Sequence, residues 1–478
     1  MSIFTEQIDK SVSNPHVLFE MNRTVHNDQW VNIGAGIWEV DFTASYPFVD
    51  DPDFLDGFTT VYAGGISQLK IDSAVASQQS SLVSLSSAAG PSWFYDSGSR
   101  ILYVRFPDSD EPWAYDAEIY FIYGYSFSPV APSGALTLYD ARLRTIPDLR
   151  KARDPLYFSR LTFEGGRVEL INTDGEFDNA GELADIYGNV ARILYGFDGM
   201  AYSDYVVLFT GYVGEAVITE DSFTLDVRDK RKQLTKYLAS YSCTAMNALD
   251  SIVDILTKGY TDIAYTSDYF DTTAWAAAKA SAPNITMNWT TPKSVIALIE
   301  DVCVSVFGIF DTDINGKFTF RYVGGNHSYS GTIPKEDILS KHRIYYDPTE
   351  VISSVCIGYN RDWATVLDPY TRTYNDDYEA EVYEKYKTYN QQEFDTMLIN
   401  LSDARSLAGT IISYTKDVHG TLDITVPMAY YGYEVGDDIY VEIHRDAQSM
   451  LGTKGCEILS KTYKLVGVPY IILGVRIN

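Results

Sequence analysis

The segment from Leu401 to Arg445 constrains the fold more than any other part of the chain, because it joins a helix to two alternating strands through a tight turn. The helix has one apolar face, formed by Ala404, Leu407, Ala408 and Ile411. Ser402 is predicted to cap its N-terminus by accepting a free backbone N–H. The apolar strand positions that follow are Leu422, Ile424 and Val426, and then Ile439, Val441 and Ile443. Pro427 should end the first strand, and the Val435–Asp437 turn should reverse the chain into the second.

Length and charge limit the class of protein. A chain of 478 residues is too long for one hydrophobic core, so several domains are expected. Its 37 basic and 65 acidic residues give a net charge of −28, which disfavours a nucleic-acid-binding surface because phosphate contacts need clustered Lys and Arg. The densest basic cluster is Arg228, Lys230, Arg231 and Lys232. We expect this cluster to pair with acidic side chains at subunit or domain contacts.

The cysteines and the N-terminus favour synthesis and folding in a reducing cytoplasm. The four cysteines are far apart and form no C-x-x-C pair, which disfavours a zinc site or a disulfide framework: Cys243, Cys303, Cys356 and Cys456. The first residues lack the basic start and apolar core of a secretory signal. The most apolar segment contains Glu300 and Asp301 and is too short to span a bilayer.

Turn residues and composition divide the chain into four predicted domains. Residues 1–140 should form a β-rich N-terminal domain, bounded by the proline-rich stretch at 128–134. Residues 141–240 contain further strand patterns, 241–345 mix helices with strands, and 346–478 end the chain with the helix and strands described above. The 38 tyrosines also favour β-sheets and protein–protein contacts.

Two helices and a hairpin are predicted in the third domain. The first helix has its apolar face at Leu249, Ile252, Val253 and Leu256, and the second at Val295, Leu298, Ile299 and Val302. Gly259 should cap the first helix, and Thr291 with Pro292 should open the second, which Gly308 should end. The Asn315–Gly316 pair predicts a type I′ hairpin turn.

Three segments resemble tail-tip or baseplate hub proteins of tailed bacteriophages and phage-like particles, including gene transfer agents. The helix, strand, Val-Gly-Asp turn and strand of 401–445 resemble their C-terminal barrel, in which an ARxLA helix precedes a GD-x-[apolar]-x-V strand. VELINTDGEFD at 168–178 and the strands up to Leu234 resemble their first barrel. The helix beginning with Thr-Pro and the following D-x-NGK-F also recur in such proteins. The resemblance covers residues 140 to 478.

This resemblance implies a mainly β fold with α+β insertions. Residues 141–240 and 346–478 would be two tube-like β-barrels, residues 241–345 an intervening α/β region, and residues 1–140 an extra peripheral β domain. Such hubs form homotrimers and contact the tail tube or distal-tail protein, the tape-measure protein, and tip or fibre proteins. DNA passes through without specific binding. The protein would be made in the bacterial host cytoplasm and reside in the virion tail.

No catalytic residue, cofactor or metal is predicted. Asp311, Asp313 and Asn315 match the first half of a calcium loop, but its twelfth position is Tyr322 instead of a bidentate Glu. The residues after the turn alternate as a strand, so we interpret this motif as a hairpin turn. The six histidines are isolated, and no phosphate-binding glycine loop or nucleophile elbow is present.

Two alternatives remain at this stage. A carbohydrate-binding or glycoside-hydrolysing β protein could stack sugars on N-terminal tryptophans: Trp30, Trp38, Trp93 and Trp113. An acidic pair such as Asp108 with Glu111, or Asp376 with Glu379, would then catalyse hydrolysis. The other alternative is a different distal-tail or fibre-attachment component. The acidic, aromatic segment 371–395 is predicted to be an exposed loop or edge hairpin, in preference to a partner-binding arm.

Overall fold

The computed structural model describes most of the chain in two compact units. It describes residues 15–26, 31–34, 37–41, 66–71, 74–75, 77–78, 92–96, 101–105, 117–128, 130, 132–133, 139–153, 165–175, 177–178, 186–261, 263–324, 329–339, 344–365, 369–443 and 452–478. The first unit comprises Met1–Pro147 and Gly166–Arg228, and the second comprises Asp148–Gly165 and Asp229–Asn478. The fold is mainly β, as predicted. The finer four-domain division stays a prediction.

The described elements in the first half of the chain are mainly strands. In chain order they are β1 (Pro15–His26), β2 (Val31–Gly34), β3 (Ile37–Asp41), β4 (Ile66–Ile71), β5 (Ala74–Val75), β6 (Ser77–Gln78), β7 (Ser92–Asp96), β8 (Ile101–Arg105), β9 (Ala117–Ser126), β10 (Tyr139–Asp140), β11 (Leu143–Thr145), β12 (Leu149–Ala152), β13 (Gly165–Ile171), β14 (Val190–Phe197), β15 (Val206–Ile218) and β16 (Ser222–Arg228).

Helices and strands alternate in the second half. The strands are β17 (Tyr237–Leu238), β18 (Tyr241–Asn247), β19 (Asn284–Trp289), β20 (Lys293–Ser294), β21 (Gly308–Thr312), β22 (Phe318–Tyr322), β23 (Tyr329–Ile333), β24 (Ile344–Tyr346), β25 (Ser354–Tyr359), β26 (Thr371–Asn375), β27 (Gln391–Asp395), β28 (Gly420–Pro427), β29 (Asp438–Ile443), β30 (Gly452–Lys464) and β31 (Tyr470–Ile477). The helices are α1 (Ala248–Gly259), α2 (Thr272–Lys279), α3 (Val295–Val306), α4 (Glu379–Tyr386) and α5 (Leu401–Thr415).

Each unit is built around one large sheet. In the first unit the order is β11-β13-β16-β15-β14-β1-β9-β4-β5, with β10 beside β9. This sheet contains strands from both sides of the predicted domain boundary at residue 140. β1 pairs with β9, which precedes the boundary, and with β14, which follows it. In the second unit the order is β23-β29-β30-β31-β28-β24, with β12 also beside β30. Among the described residues neither sheet closes into a barrel, so the two tube-like barrels stay a prediction.

The two sheets contain the same five-strand arrangement. In the first, the order β11-β13-β16-β15-β14 runs from an edge strand through four consecutive strands of the sequence. In the second, β24-β28-β31-β30-β29 has the same order when each strand is matched by its rank along the chain. The third of the four consecutive strands is 13 residues long in both, and its pairing with the fourth is irregular near its middle in both. We call these arrangements the first and second repeats.

A strand from between β11 and β13 belongs to the second unit. β12 pairs antiparallel with β30, with Leu149 opposite Tyr463 and Ala152 opposite Ser460. Its exposed residue is Arg150, whereas Lys151 is buried. The segment therefore brings buried cationic side chains to a sheet whose other strands come from the far end of the sequence.

The core of the second unit includes an aromatic cluster beside α2. Trp275 is about 1% exposed and meets the Phe270 ring edge-on at 5.0 Å between centroids. Phe310 and Phe318 stack at 5.1 Å across the β21–β22 hairpin. Aromatic pairs with these geometries stabilise beyond the burial of their area, typically by ~0.5–1.5 kcal/mol each. The α1 and α3 helices bury the predicted apolar faces, apart from Val253, which is only partly buried.

Predicted caps of three helices, α1, α3 and α5, are wrong. α5 begins at Leu401 after Asn400, so Ser402 lies in the first turn and is not the N-cap. α3 begins at Val295, with the Ser294 hydroxyl accepting from the Ala297 N–H, because Lys293 and Ser294 first pair with β17. Phe307 ends this helix in a left-handed conformation.

Gly259, predicted to follow α1 as its cap, is its last helical residue.

The β21–β22 turn also differs from the prediction. A type I′ turn needs positive φ at both central residues, but only Gly316 has one, at +74°. The Asp313 carboxylate accepts from the N–H groups of Asn315 (2.9 Å) and Lys317 (2.8 Å), and the Asp313 N–H donates to the Lys317 carbonyl. These bonds stabilise a longer loop than the two-residue turn predicted.

Candidate assembly site

The turn between β28 and β29 is fixed by its own residues and by the neighbouring β30. Gly436 has a φ of +92°, a left-handed conformation that suits glycine, and its N–H donates to the Ile458 carbonyl at 2.8 Å. The Asp437 carboxylate accepts from the Glu434 N–H at 2.8 Å and from Arg321 at 2.7 Å. The backbone around Glu434 is therefore held in place.

Glu434 pairs with two lysines from different strands. Its carboxylate oxygens lie 3.0 Å from Lys461 Nζ on β30 and 3.3 Å from Lys151 Nζ on β12. Both lysine side chains are at most 4% exposed. Burial alone would raise the pKa of Glu434, but the two lysines outweigh burial and lower the pKa to about 2. Glu434 therefore links the β12 segment to the β30–β31 hairpin through charge.

Lys151 extends these contacts to the β21–β22 hairpin. Its Nζ donates to the Asp311 carboxylate and to the Thr312 carbonyl, both at 3.0 Å. Arg231 lies 3.5 Å from the same Asp311 and pairs with Asp229 at 2.8 Å. Burial would raise the pKa of Asp229, but Arg231 outweighs burial and lowers it. We call this set the first ionic cluster: Lys151, Asp229, Arg231, Asp311, Glu434 and Lys461.

A second ionic cluster joins β12 to α5, β30 and β31. Arg153 and the Tyr414 hydroxyl each donate to the Glu457 carboxylate at 2.5 Å. The Arg476 guanidinium lies 3.4 Å from the centre of the Tyr414 ring and 3.6 Å from Glu457. Burial would raise the pKa of Glu457, but Arg153 and Arg476 outweigh it and lower the pKa. Lys151 and Arg153 thus connect one short segment to both clusters.

A cavity of about 390 Å³ adjoins the second ionic cluster. Tyr414, Glu350 and His419 are among its lining residues. Burial and then the nearby Asp347 raise the pKa of Glu350, whereas burial lowers the pKa of His419. Burial therefore shifts both groups toward their neutral forms, and Tyr414, which lines the cavity, belongs to the second ionic cluster.

The hairpin supported by these clusters ends in an apolar tip. Val466 and Val468 are 59% and 82% exposed between β30 and β31. The matching hairpin of the first repeat has a polar tip, where the Thr219 hydroxyl accepts from the Ser222 N–H and lies 3.1 Å from Asp221. The equivalent tips therefore present different chemistry to a partner.

The edge strand of the second repeat also exposes aromatic rings. Tyr345 and Tyr346 on β24 are each about half exposed. β24 pairs with β28 on one side and lies at the end of the described strand order. Edge strands and exposed aromatic side chains are features through which β proteins associate.

The calcium-like residues lie in the β21–β22 hairpin, but their side chains have different partners. Asp311 accepts from Lys151, and Asp313 accepts from backbone N–H groups of the turn, including that of Asn315. No group of three or more possible metal ligands of the His, Cys, Asp and Glu types is found in the described part of the chain. The absence of bound calcium stays a prediction.

The basic cluster follows its predicted pairing at two positions. Arg228 pairs with Asp226 at 2.6 Å, and Arg231 is in the first ionic cluster. Lys230 Nζ lies 4.8 Å from the centroid of the Tyr269 ring. That these basic residues meet acidic partners at subunit or domain contacts stays a prediction.

The carbohydrate alternative depends mainly on residues outside those that the structure describes. The described part of the chain does not include the side chains of four tryptophans, Trp30, Trp38, Trp93 and Trp113, or the pair Asp108 with Glu111. Asp376 lies in the turn before α4, and Glu379 is the first residue of α4. The Glu379 N–H donates to the Asp376 carbonyl. No helix among the described residues is both long and apolar enough to cross a membrane.

The chain was compared with known proteins. No protein-family model matches it, and no curated protein matches it. Solved structures with a similar fold include a tail protein from Neisseria meningitidis MC58, with 11% identity, TM-score 0.45, and coverage of 69% of this chain and 90% of that chain. The prophage MuSo2 43 kDa tail protein from Shewanella oneidensis has 12% identity, TM-score 0.42, and coverage of 71% and 94%.

A third similar structure is the E. coli c3393 protein, described as a type VI secretion component with structural similarity to T4 tail proteins gp27 and gp5. It has 12% identity, TM-score 0.37, and coverage of 70% of this chain and 76% of that chain.

Sequence reasoning missed the two ionic clusters. Lys151 and Arg153 alternate with Arg150 and Ala152 in a short polar stretch that is typical of a surface strand. Their acidic partners, Glu434 and Glu457, are about 300 residues away, as the sequence separations of 283 and 304 show. No local pattern connects such distant residues, so only the fold could bring them together.

Proposed function

We propose that this protein is a structural hub at the distal end of a phage or phage-like tail. It closes the tail tube, attaches tip or fibre proteins, and surrounds a channel for DNA delivery. The observation that carries the proposal is the five-strand arrangement that recurs in the two units. Three motifs that resemble hub proteins lie in and between these repeats, at 168–178, around 291–318 and at 401–445.

The repeats support a homotrimer by a symmetry argument. Two similar β domains per chain give six in a trimer, so a three-fold ring could match a six-fold tube on one side and a three-fold tip on the other. In this proposal residues 141–240 and 346–478 form two tube-like barrels, and the exposed edge residues Tyr345 and Tyr346 lie at contacts between subunits. The protein resides in the virion tail after synthesis in the host cytoplasm, and its partners are the tube or distal-tail, tape-measure and tip proteins.

The role is structural and not enzymatic in this proposal. The carboxylates with the most buried ionic contacts, such as Glu434 and Glu457, are paired with cations, which suits a structural role. The channel wall is neutral or acidic, because Lys and Arg there would retain phosphates by releasing counterions. The net charge of −28 is compatible with such a wall.

Mass photometry of the purified full chain tests the oligomer. The expected result is a species with three times the 53.6 kDa mass of one chain. The Tyr345→Ser/Tyr346→Ser variant should shift this species toward monomer, while Tyr237→Ser, at another exposed tyrosine, should not. A monomer at all concentrations, or tight salt-sensitive binding of double-stranded DNA, would contradict the proposal.

A further inference from the structure

The segment predicted to be an exposed loop or edge hairpin is an ordered strand, helix and strand. β26 and β27 flank β25, and α4 connects them. We define the α4 surface as the two tyrosines and five carboxylates around this helix: Asp376, Asp377, Glu379, Glu381, Tyr383, Glu384 and Tyr389. Val382 is the only buried residue of the helix, so the side chains of the α4 surface lie at or near the protein surface.

One end of α4 is anchored to the residues that follow α5. Lys385 Nζ donates to the Asp417 carboxylate at 2.7 Å, and the Tyr386 hydroxyl donates to the same carboxylate at 3.3 Å. The Val418 N–H donates to the Tyr386 hydroxyl at 3.1 Å. These bonds fix the orientation of the helix, so the α4 surface is preformed and a partner need not order it.

Two exposed tyrosines stack on this surface. The Tyr383 and Tyr389 rings lie 4.4 Å apart between centroids and 17° from parallel. They are 41% and 64% exposed. Lys387 Nζ lies 5.5 Å from the Tyr383 ring centre, so this ring already contacts a cation on one side. Exposed aromatic stacks of this kind suit recognition of a further cationic side chain.

The charge around the tyrosines is unbalanced. Five carboxylates lie between Asp376 and Glu384, and none of them has an ion-pair partner among the described residues. The two nearby lysines are engaged elsewhere, Lys385 with Asp417 and Lys387 with Tyr383. A partner that supplies positive charge would therefore gain both ion pairs and cation–π contacts.

We propose that the α4 surface binds an Arg- or Lys-rich segment of another protein. A second copy of this chain is a poor source of that segment, because its net charge is −28 and Arg228 and Arg231 of its densest basic cluster are already paired. A nucleic acid is excluded by the sign of the charge. The proposal is independent of the hub function.

Fluorescence anisotropy with a labelled peptide of six Arg-Gly repeats tests this proposal on the full chain. The Tyr383→Ala/Tyr389→Ala variant should weaken binding roughly tenfold, because it removes the exposed stacked rings. The Glu379→Gln/Glu381→Gln/Glu384→Gln variant should weaken it further. The matched control is Glu220→Gln/Asp268→Asn/Glu336→Gln, which removes the same charge at exposed positions elsewhere. Thermal unfolding should be the same for all variants.

The outcomes are separable. Weak binding by both α4 variants with wild-type binding by the control supports the proposal. Equal weakening by the two charge variants would mean that the peptide follows net charge alone, and would overturn it. Wild-type binding by the tyrosine variant would also overturn it. Loss of oligomer mass in the tyrosine variant, with unchanged peptide binding, would assign the surface to a second copy.

Discussion

The first and second repeats have the same strand order. Different interactions, however, hold the turn that follows β13 in the first repeat and β28 in the second. In the first repeat Asn172 is fully buried, donates to the Thr219 carbonyl at 3.1 Å and accepts from the Phe177 N–H at 2.9 Å. In the second repeat Glu434 occupies the comparable turn and pairs with Lys461 and with Lys151. Asn172 connects its turn to the β15–β16 hairpin through an amide hydrogen bond. Glu434 connects its turn to β30 through an ion pair.

This difference follows from what each turn must hold. Asn172 bonds within its own repeat, to the Thr219 carbonyl, the Phe177 N–H and, at 2.7 Å, the Asp178 carboxylate. Glu434 also holds β12, which arrives from a distant part of the sequence. Buried ion pairs add little net stability over well-packed apolar groups, but an unpaired buried charge is costly, so they can specify which strand pairs with which. We infer that the ionic clusters select the β12–β30 pairing.

The largest expected effect is from Lys151→Ala. This change leaves the buried carboxylates of Asp311 and Glu434 without a shared cation, and should lower the free energy of unfolding of the second unit by ~3–5 kcal/mol. Urea unfolding measures the loss, and hydrogen exchange of peptides from β30 localises it. Arg150→Ala, one residue away and exposed, should change stability by no more than ~0.5 kcal/mol. Equal effects of the two variants would refute the role of the cluster.

Acid should selectively weaken the second repeat. The pKa of Glu434 is about 2 in the folded chain, below the ~4.3 of an unfolded Glu, so its stabilising contribution is present above the unfolded value and is lost as pH falls toward 2. The stability difference between wild type and Glu434→Gln should therefore narrow between about pH 4.5 and pH 2. Urea unfolding at several pH values measures this difference. A constant difference over that range would contradict the assignment.

A smaller and local effect is expected for Asn172→Ala. The change leaves the Phe177 N–H and the Thr219 carbonyl without this partner and should cost the first unit ~1–3 kcal/mol. Hydrogen exchange should rise in residues 165–175 and stay unchanged in β30. If exchange rose equally in both units, the two repeats would not be separately stabilised.

The smallest effect on stability is expected at the hairpin tip. Val466→Ser/Val468→Ser changes two exposed side chains and should alter the free energy of unfolding by no more than ~0.5 kcal/mol. If the apolar tip contacts a tail partner, the same variant should reduce incorporation into particles. Thr219→Ala, at the polar tip of the first repeat, is the positional control.

Much of the second repeat was predictable because its pattern is local. The apolar face of α5 and the alternating positions of β28 and β29 are buried as the sequence indicates. Helix caps were less predictable, because serine can cap a helix at Ser402 or at Ser294 and only Ser294 does so. The pairing of β20 with β17 determines where α3 begins. The sequence does not predict α4, because the helix has a single buried residue, Val382, and so lacks the apolar periodicity of an amphipathic helix.

The resemblance to hub proteins predicts that residues 141–240 and 346–478 share one fold, but the strand order itself could not be read from the sequence, because the matched strands share no common motif. β13 and β28 have the sequences GGRVELI and GTLDITVP, which agree only in their spacing of apolar residues. Pairing of β12 with β30 was also unpredictable, since strand partners that are far apart in sequence depend on the whole fold.

Cryo-electron microscopy of the purified oligomer, or of tails that contain it, tests the central proposal most directly. We expect three copies in a closed ring in which six β domains, two from each chain, surround an open channel with a neutral or acidic wall. The first and second repeats should alternate around that ring. A monomer, an open head-to-tail filament, or a ring in which only one repeat per chain surrounds the channel would contradict the hub proposal.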